Sequence, residues 1–277
     1  MDRLGYTAPS LAVPALRISS AGATPVEEII AEETAISVTY NGVSHAVMMA
    51  TPADLEDFAM GFSLTEGLLS HADALARVSV VRYDRGIELQ IETSIEIAAD
   101  VKRRRLSGRT GCGICGKEDV EQVLRLLPHV DSPARFSRAA ISRAMAELAD
   151  LQPLNAVTGA VHAAALASPD GEVMMVREDV GRHNALDKLI GAIARTGTDV
   201  TNGFLALTSR GSFELVQKAA VLGVPLLATV SAPTGLAVRI AHDVGITLAG
   251  FARDDRVTVY THAERITDPP SHGRASR

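Results

Sequence analysis

The chain's two cysteines carry its most nucleophilic side chains, and both fall in Gly108–Arg109–Thr110–Gly111–Cys112–Gly113–Ile114–Cys115–Gly116–Lys117. Four glycines in nine residues exclude a helix or strand interior and describe a flexible loop whose backbone can approach a partner closely. The basic run Lys102–Arg103–Arg104–Arg105 lies upstream. Downstream, Glu118–Leu127 reads as a helix, with Val120, Val123, Leu124 and Leu127 on one stripe and Pro128 as its stop. Nearby cations and a helix N-terminus favour thiolate over thiol, while Glu118 and Asp119 pull the other way. The natural reading is a mobile, ionisable sulfur.

Three other uses of a C-x-x-C compete with it. Half of a zinc site needs a second half, and the sequence holds no other C-x-x-C and no H-x3-5-H, so no structural metal is expected. A thioredoxin-like dithiol belongs at a strand-to-helix junction of a compact βαβ unit, whereas this pair follows an arginine-rich connection. Inert packing cysteines have bulky neighbours in sequence rather than four glycines.

Composition narrows the classes further. With 277 residues, 47% hydrophobic and 22% charged, the chain is long enough for one large globular domain or two smaller ones. Aromatics at 4% with no Trp argue against base-stacking platforms, and a net charge of −6 disfavours general nucleic-acid binding. Two cysteines do not make a secreted disulfide framework. The longest apolar stretch, Ala219–Val230, is broken by Gly223 and Pro225 and is too short for a bilayer, so no membrane association is expected. Residues 1–25 show no signal-peptide pattern, which points to the cytoplasm.

The elements that must position the chemistry divide the chain into five parts. Residues 1–25, with Pro9, Pro14 and Pro25, read as a loose arm. Residues 26–100 read as an antiparallel sheet with one helix. The sheet has hairpins at Ala35–Tyr40/Val43–Met49, across Asn41–Gly42, and at Val78–Tyr83/Ile87–Glu92. Thr51–Pro52–Ala53–Asp54 supplies a cap, a proline at N1 and an acid at N3 for the helix through Leu55, Phe58, Ala59 and Phe62. Residues 101–136 hold the cysteine loop and its helix. In residues 137–266 a helix over Ser137–Ala149 and strands over Ala156–Ala167 and Glu172–Val176 come first. From Phe204 the rhythm becomes strand, helix, strand, helix, strand, which indicates βαβ units in an α/β domain with a partly parallel sheet. Residues 267–277 read as a disordered tail.

Ligands of such sheets bind outside the carboxyl ends of the strands. Thr208–Ser209–Arg210–Gly211–Ser212 and Ser231–Ala232–Pro233–Thr234–Gly235 sit there, and both lead into helix N-termini that favour anions. Arg210 adds a charge suited to phosphate, although Ser212 and Thr234 are equally explained as N-caps. A third loop, Phe251–Ala252–Arg253–Asp254–Asp255–Arg256, offers two arginines to phosphate and two aspartates to a guanine edge, or is a plain hairpin turn. A further polar block, Arg177–Lys188, opens a helix. Capping-box spacing explains Asn184 and Asp187, but it leaves Arg177, Glu178, Asp179, Arg182 and His183 unexplained and favours a binding or acid–base site.

The cysteine loop Cys112–Lys117 and the block Glu178–Lys188, continued by Thr208–Gly211 and Phe251–Arg256, together resemble the FdhD family, the formate dehydrogenase accessory sulfurtransferases. The resemblance covers roughly residues 25–266. It implies a cytoplasmic homodimer, similar in fold to cytidine deaminases over its C-terminal region. Such a protein takes sulfur from a cysteine desulfurase as a persulfide. It passes that sulfur to the molybdenum bis(molybdopterin guanine dinucleotide) cofactor before insertion into the formate dehydrogenase catalytic subunit, and GDP serves as a surrogate ligand. The persulfide falls on Cys112, with Cys115 as its catalytic companion. Cofactor binding falls on Phe251, Ala252, Arg253, Asp254, Asp255 and Arg256, with Arg210 and His183 alongside.

Two other functions compete. A zinc deaminase is disfavoured because Ala164 stands where the general-acid Glu must be and the cysteines precede His162. A chaperone that binds the guanine dinucleotide without carrying sulfur uses the same cofactor loops and differs only at the thiols.

Overall fold

The computed structural model describes residues 8–95, 106–107 and 127–268. The cysteine loop, the basic run before it and the helix expected after it lie outside these, as do residues 1–7 and 269–277.

The chain opens with β1 (Ser10–Ser19) and β2 (Gly22–Ala31), which pair antiparallel through ten residues each. This hairpin replaces the loose arm expected there. Pro14 and Pro25 suggested irregular chain, but a ribbon of two strands has only edges, where a missing N–H costs no ladder bond.

A five-stranded sheet follows, formed by β3 (Thr34–Tyr40), β4 (Val43–Ala50), β5 (Leu75–Tyr83), β6 (Gly86–Thr93) and β7 (Leu106–Ser107). Its order is β5-β6-β3-β4-β7. Both expected hairpins form, but they join side by side through a parallel β3–β6 pair, so the sheet is mixed rather than antiparallel throughout. Ile36, Val38, Leu89 and Ile91 alternate inward and pack on Phe58 and Phe62 of α1 (Leu55–Thr65). No side chain caps α1: Asp54 takes a left-handed conformation at its start, and Thr51 is used elsewhere.

The second layer is a six-stranded sheet of order β13-β12-β11-β10-β8-β9. Its strands are β8 (His162–Ala167), β9 (Val173–Asp179), β10 (Phe204–Leu207), β11 (Leu226–Thr229), β12 (Thr247–Arg253) and β13 (Arg256–Val259). β10, β11 and β12 are parallel, as the rhythm of the sequence predicts, and antiparallel strands flank them. Both faces are covered. Leu166, Leu205, Leu207, Leu227 and Leu248 face three helices, α4 (Arg182–Thr196), α5 (Phe213–Leu222) and α6 (Gly235–Asp243). Ala163, Ala165, Ala206, Ala228 and Ala249 face α2 (Arg138–Asp150). Burial on two sides explains why these strands read as unbroken apolar runs.

The strand expected to begin at Ala156 begins at His162 instead, because α3 (Pro153–Thr158) occupies the preceding residues. Pro153 suits its first turn, and the Glu178 carboxylate accepts from the Leu154 and Asn155 N–H groups there. The two layers meet where α1 crosses α4. A Cβ added at Gly61 would overlap the Asp187 carbonyl, and one at Gly191 would overlap the Asp57 carbonyl, so only glycine permits this approach.

Candidate functional site

The carboxyl ends of β10, β11 and β12 share one edge of the second sheet. Because β8 runs against β10, its first residue, His162, lies at that edge, paired with Asp179 at the end of β9. The N-terminus of α4 therefore opens onto the same rim. Backbone bonds lace its loops together. Thr234 N–H donates to the Gly211 carbonyl at 2.9 Å, Gly211 N–H to Ala232 at 3.3 Å and Phe251 N–H to Ser231 at 3.3 Å. Three expected loops thus form one continuous surface.

Beyond β12 the chain makes a tight turn at Asp254–Asp255, so the plain-hairpin alternative is what the backbone adopts. Phe251 and Asp254 have φ of 51° and 55°, left-handed values that L side chains rarely take. The turn sets Arg253 directly opposite Arg256, both exposed. The Arg256 guanidinium stands 6.0 Å from the centre of the Phe251 ring, and Ala252 is buried in the core between the second sheet and α2. Arg210 is exposed on the loop after β10. Among the described residues none of these three arginines has a carboxylate partner.

The polar block Arg177–Lys188 behaves differently. Asp179, fully buried, accepts from Thr51 N–H at 3.0 Å and Gly181 N–H at 2.8 Å, and pairs with buried Lys188 at 2.7 Å. Lys188 also donates to the Thr51 carbonyl, and the Thr51 hydroxyl accepts from Val180 N–H. Arg177 and Arg195 clasp Asp57 of α1. Asp187 receives Lys218 at 2.8 Å and the Thr65 hydroxyl at 2.6 Å; burial pushes its carboxyl up, and Lys218 opposes that shift. Asn184 donates to the Met49 carbonyl and to Asp179. The capping box expected from Asn184 and Asp187 is therefore absent. Gly181 occupies the N-cap position without a side-chain bond, and both residues turn toward the first layer. Most of this block is the mortar between the two layers.

Only the residues nearest the rim remain for ligand chemistry. His183 is buried and shares its Nε2 with Glu214 at 2.9 Å and Ser212 at 3.4 Å. Ser212 thus serves His183 and Glu214 and makes no cap, whereas Thr234 does cap α6 by accepting from Ala237 N–H. The His162 imidazole is held below the usual histidine range by burial and by the charges of Arg182 and His183. Asp57, Lys218 and Glu214 carry no motif in sequence, and Thr51 reads there only as a helix cap. A lysine inside the apolar stripe of α5 was the one available hint. Among the described residues no group of three or more His, Cys, Asp or Glu side chains is placed to hold a metal ion, and no helix is long and apolar enough to cross a membrane.

Comparison with known proteins fits this geometry. The model of the FdhD/NarQ family matches residues 31–267. The chain is 53% identical over 243 residues to the sulfur carrier protein FdhD of Xanthomonas campestris pv. campestris, covering 87% of this chain and 86% of that one. It is 46% identical over 274 residues to the sulfur carrier protein FdhD of Bordetella petrii, covering 96% and 99%. A crystal structure described as a formate dehydrogenase accessory protein from Desulfotalea psychrophila superposes with a TM-score of 0.75 at 26% identity, covering 93% of this chain and 99% of that one. On a match that spans both layers and the whole rim, this chain belongs to the FdhD/NarQ family.

Proposed function

We propose that this chain is a sulfurtransferase that loads sulfur from a cysteine desulfurase onto Cys112 and delivers it to the molybdenum bis(guanine dinucleotide) cofactor destined for formate dehydrogenase. The names of its relatives support sulfur carriage and a formate dehydrogenase accessory role. The observation that carries the docking half is the Arg253–Arg256 pair. Like charges directly opposite each other weaken a hairpin, and a pyrophosphate between them turns that repulsion into charge-assisted bonding. Arg210 extends the positive rim, and Asp254 and Asp255 offer acceptors to guanine N–H groups. His183, held by Glu214, is assigned to the same site in this reading. In this reading the work is done in the cytoplasm by a homodimer, whose shared cleft accommodates so large a passenger.

The chemistry runs in two displacements. The Cys112 thiolate attacks the outer sulfur of the desulfurase persulfide; the S–S bond breaks and the desulfurase thiolate leaves. The Cys115 thiolate then attacks the inner sulfur of the Cys112 persulfide, forming a Cys112–Cys115 disulfide and expelling sulfide. The two thiols supply both electrons. Sulfide replaces an oxygen ligand of the cargo molybdenum, which departs as water with two protons. In calorimetric titration with GDP, Arg253→Ala and Arg256→Ala each weaken binding about tenfold, in line with the loss of one charge-assisted contact. Unchanged affinity removes the hairpin from the site.

A further inference from the structure

The Asp254–Asp255 turn holds an uncommon conformation, and such conformations persist only where their surroundings fix them. One side chain from outside the rim does so. Arg138, first residue of α2, donates from Nη1 to the Asp255 carbonyl at 2.7 Å. Its Nε pairs with Asp268 at 3.2 Å, and its own backbone N–H donates to the other oxygen of the same carboxylate at 3.1 Å. Asp268 thus aims the guanidinium, and the guanidinium holds the turn. Asp268 is itself set by the adjoining chain, where Thr267 N–H donates to the Phe136 carbonyl.

We infer that Arg138 is the positioning residue of the anion-binding hairpin, fixing the turn so that Arg253 and Arg256 present their guanidinium groups together to a nucleotide diphosphate. The inference rests on the docking half of the function proposed above. Arg138 acts through the Asp255 carbonyl and not on the ligand: its Nη1 holds the turn and its Nε is held by Asp268. Its loss costs affinity by letting the turn relax, while the number of charges facing the phosphates stays the same.

The test is calorimetric titration of the full chain with GDP at several salt concentrations, with thermal unfolding run in parallel to confirm the fold. Arg138→Ala weakens binding about fivefold and leaves the salt dependence as steep as in the unaltered chain, since screening reads only the charges at the ligand. Arg138→Lys, which keeps one donor for the Asp255 carbonyl, recovers part of the affinity. Arg253→Ala weakens binding and flattens the salt dependence. Unaltered affinity in Arg138→Ala, or a salt dependence flattened as in Arg253→Ala, overturns the positioning role. If Arg253→Ala itself leaves binding unchanged, the docking proposal fails, and the inference with it.

Discussion

The block Arg177–Lys188 and the hairpin Phe251–Arg256 are both short, dense in charge and placed at the same edge of the same sheet, yet they spend their charge in opposite ways. In the first, acids and bases are matched: Asp179 by Lys188, Asp187 by Lys218 and Arg177 by Asp57, with Thr51 and Thr65 of the first layer adding hydrogen bonds. Lys188 and Asp179 are fully buried and leave no field for a ligand. In the second, the charges stand beside one another in the chain, exposed and without partners of opposite sign among the described residues. A run of ionisable residues thus says little about binding until the supply of partners is known. Where the fold delivers a counter-charge the run is structural, and where it delivers none the charge remains available.

Breaking the matched block has the largest expected effect. Lys188→Met removes the cation paired with the fully buried Asp179 carboxylate, and should lower stability by about 3–5 kcal/mol in urea unfolding. A loss below about 1 kcal/mol would return the block to the candidate binding residues. The unmatched hairpin should respond in the opposite sense. The Arg253→Ala/Arg256→Ala double variant, which weakens GDP binding, leaves unfolding stability unchanged or raises it by a few tenths of a kcal/mol, since it relieves a like-charge pair. A large loss of stability would make those arginines structural after all.

The smallest effect is a pH dependence. The folded-state pKa of His162 lies below its unfolded value of 6.5, so its contribution is complete above that value and is lost as pH falls through the folded one. Unaltered protein should therefore lose stability relative to His162→Gln as pH is lowered from about 7 to about 5. Parallel unfolding midpoints across that range would show that His162 does not carry this linkage.

Much of this contrast was hidden in the sequence for definable reasons. The Asn41–Gly42 hairpin and the parallel β10–β11–β12 core were legible because turn chemistry and apolar period are local. The first hairpin was missed because prolines were read as breakers, although a two-stranded ribbon tolerates them. The false capping box had the right spacing, but tertiary partners claimed Asn184 and Asp187. The same holds for Thr51, whose hydroxyl serves Val180 rather than α1. Gly61 and Gly191 look like costly helix interiors until the crossing of α1 and α4 shows why no larger residue fits. The rim loops and their arginines were readable, whereas Arg138, which grips the turn from another element, carries no motif. Cys112 and Cys115 lie outside the described residues, so their part rests on sequence and family membership.

The most direct measurement is therefore made on those thiols: peptide mass spectrometry of the full chain after incubation with a cysteine desulfurase and cysteine. A gain of about 32 Da, one sulfur atom, on the peptide bearing Cys112 is expected in Cys115→Ser, where the persulfide cannot discharge into a disulfide, and is absent in Cys112→Ser. No added sulfur on that peptide in Cys115→Ser, or the same gain in Cys112→Ser, would contradict the account.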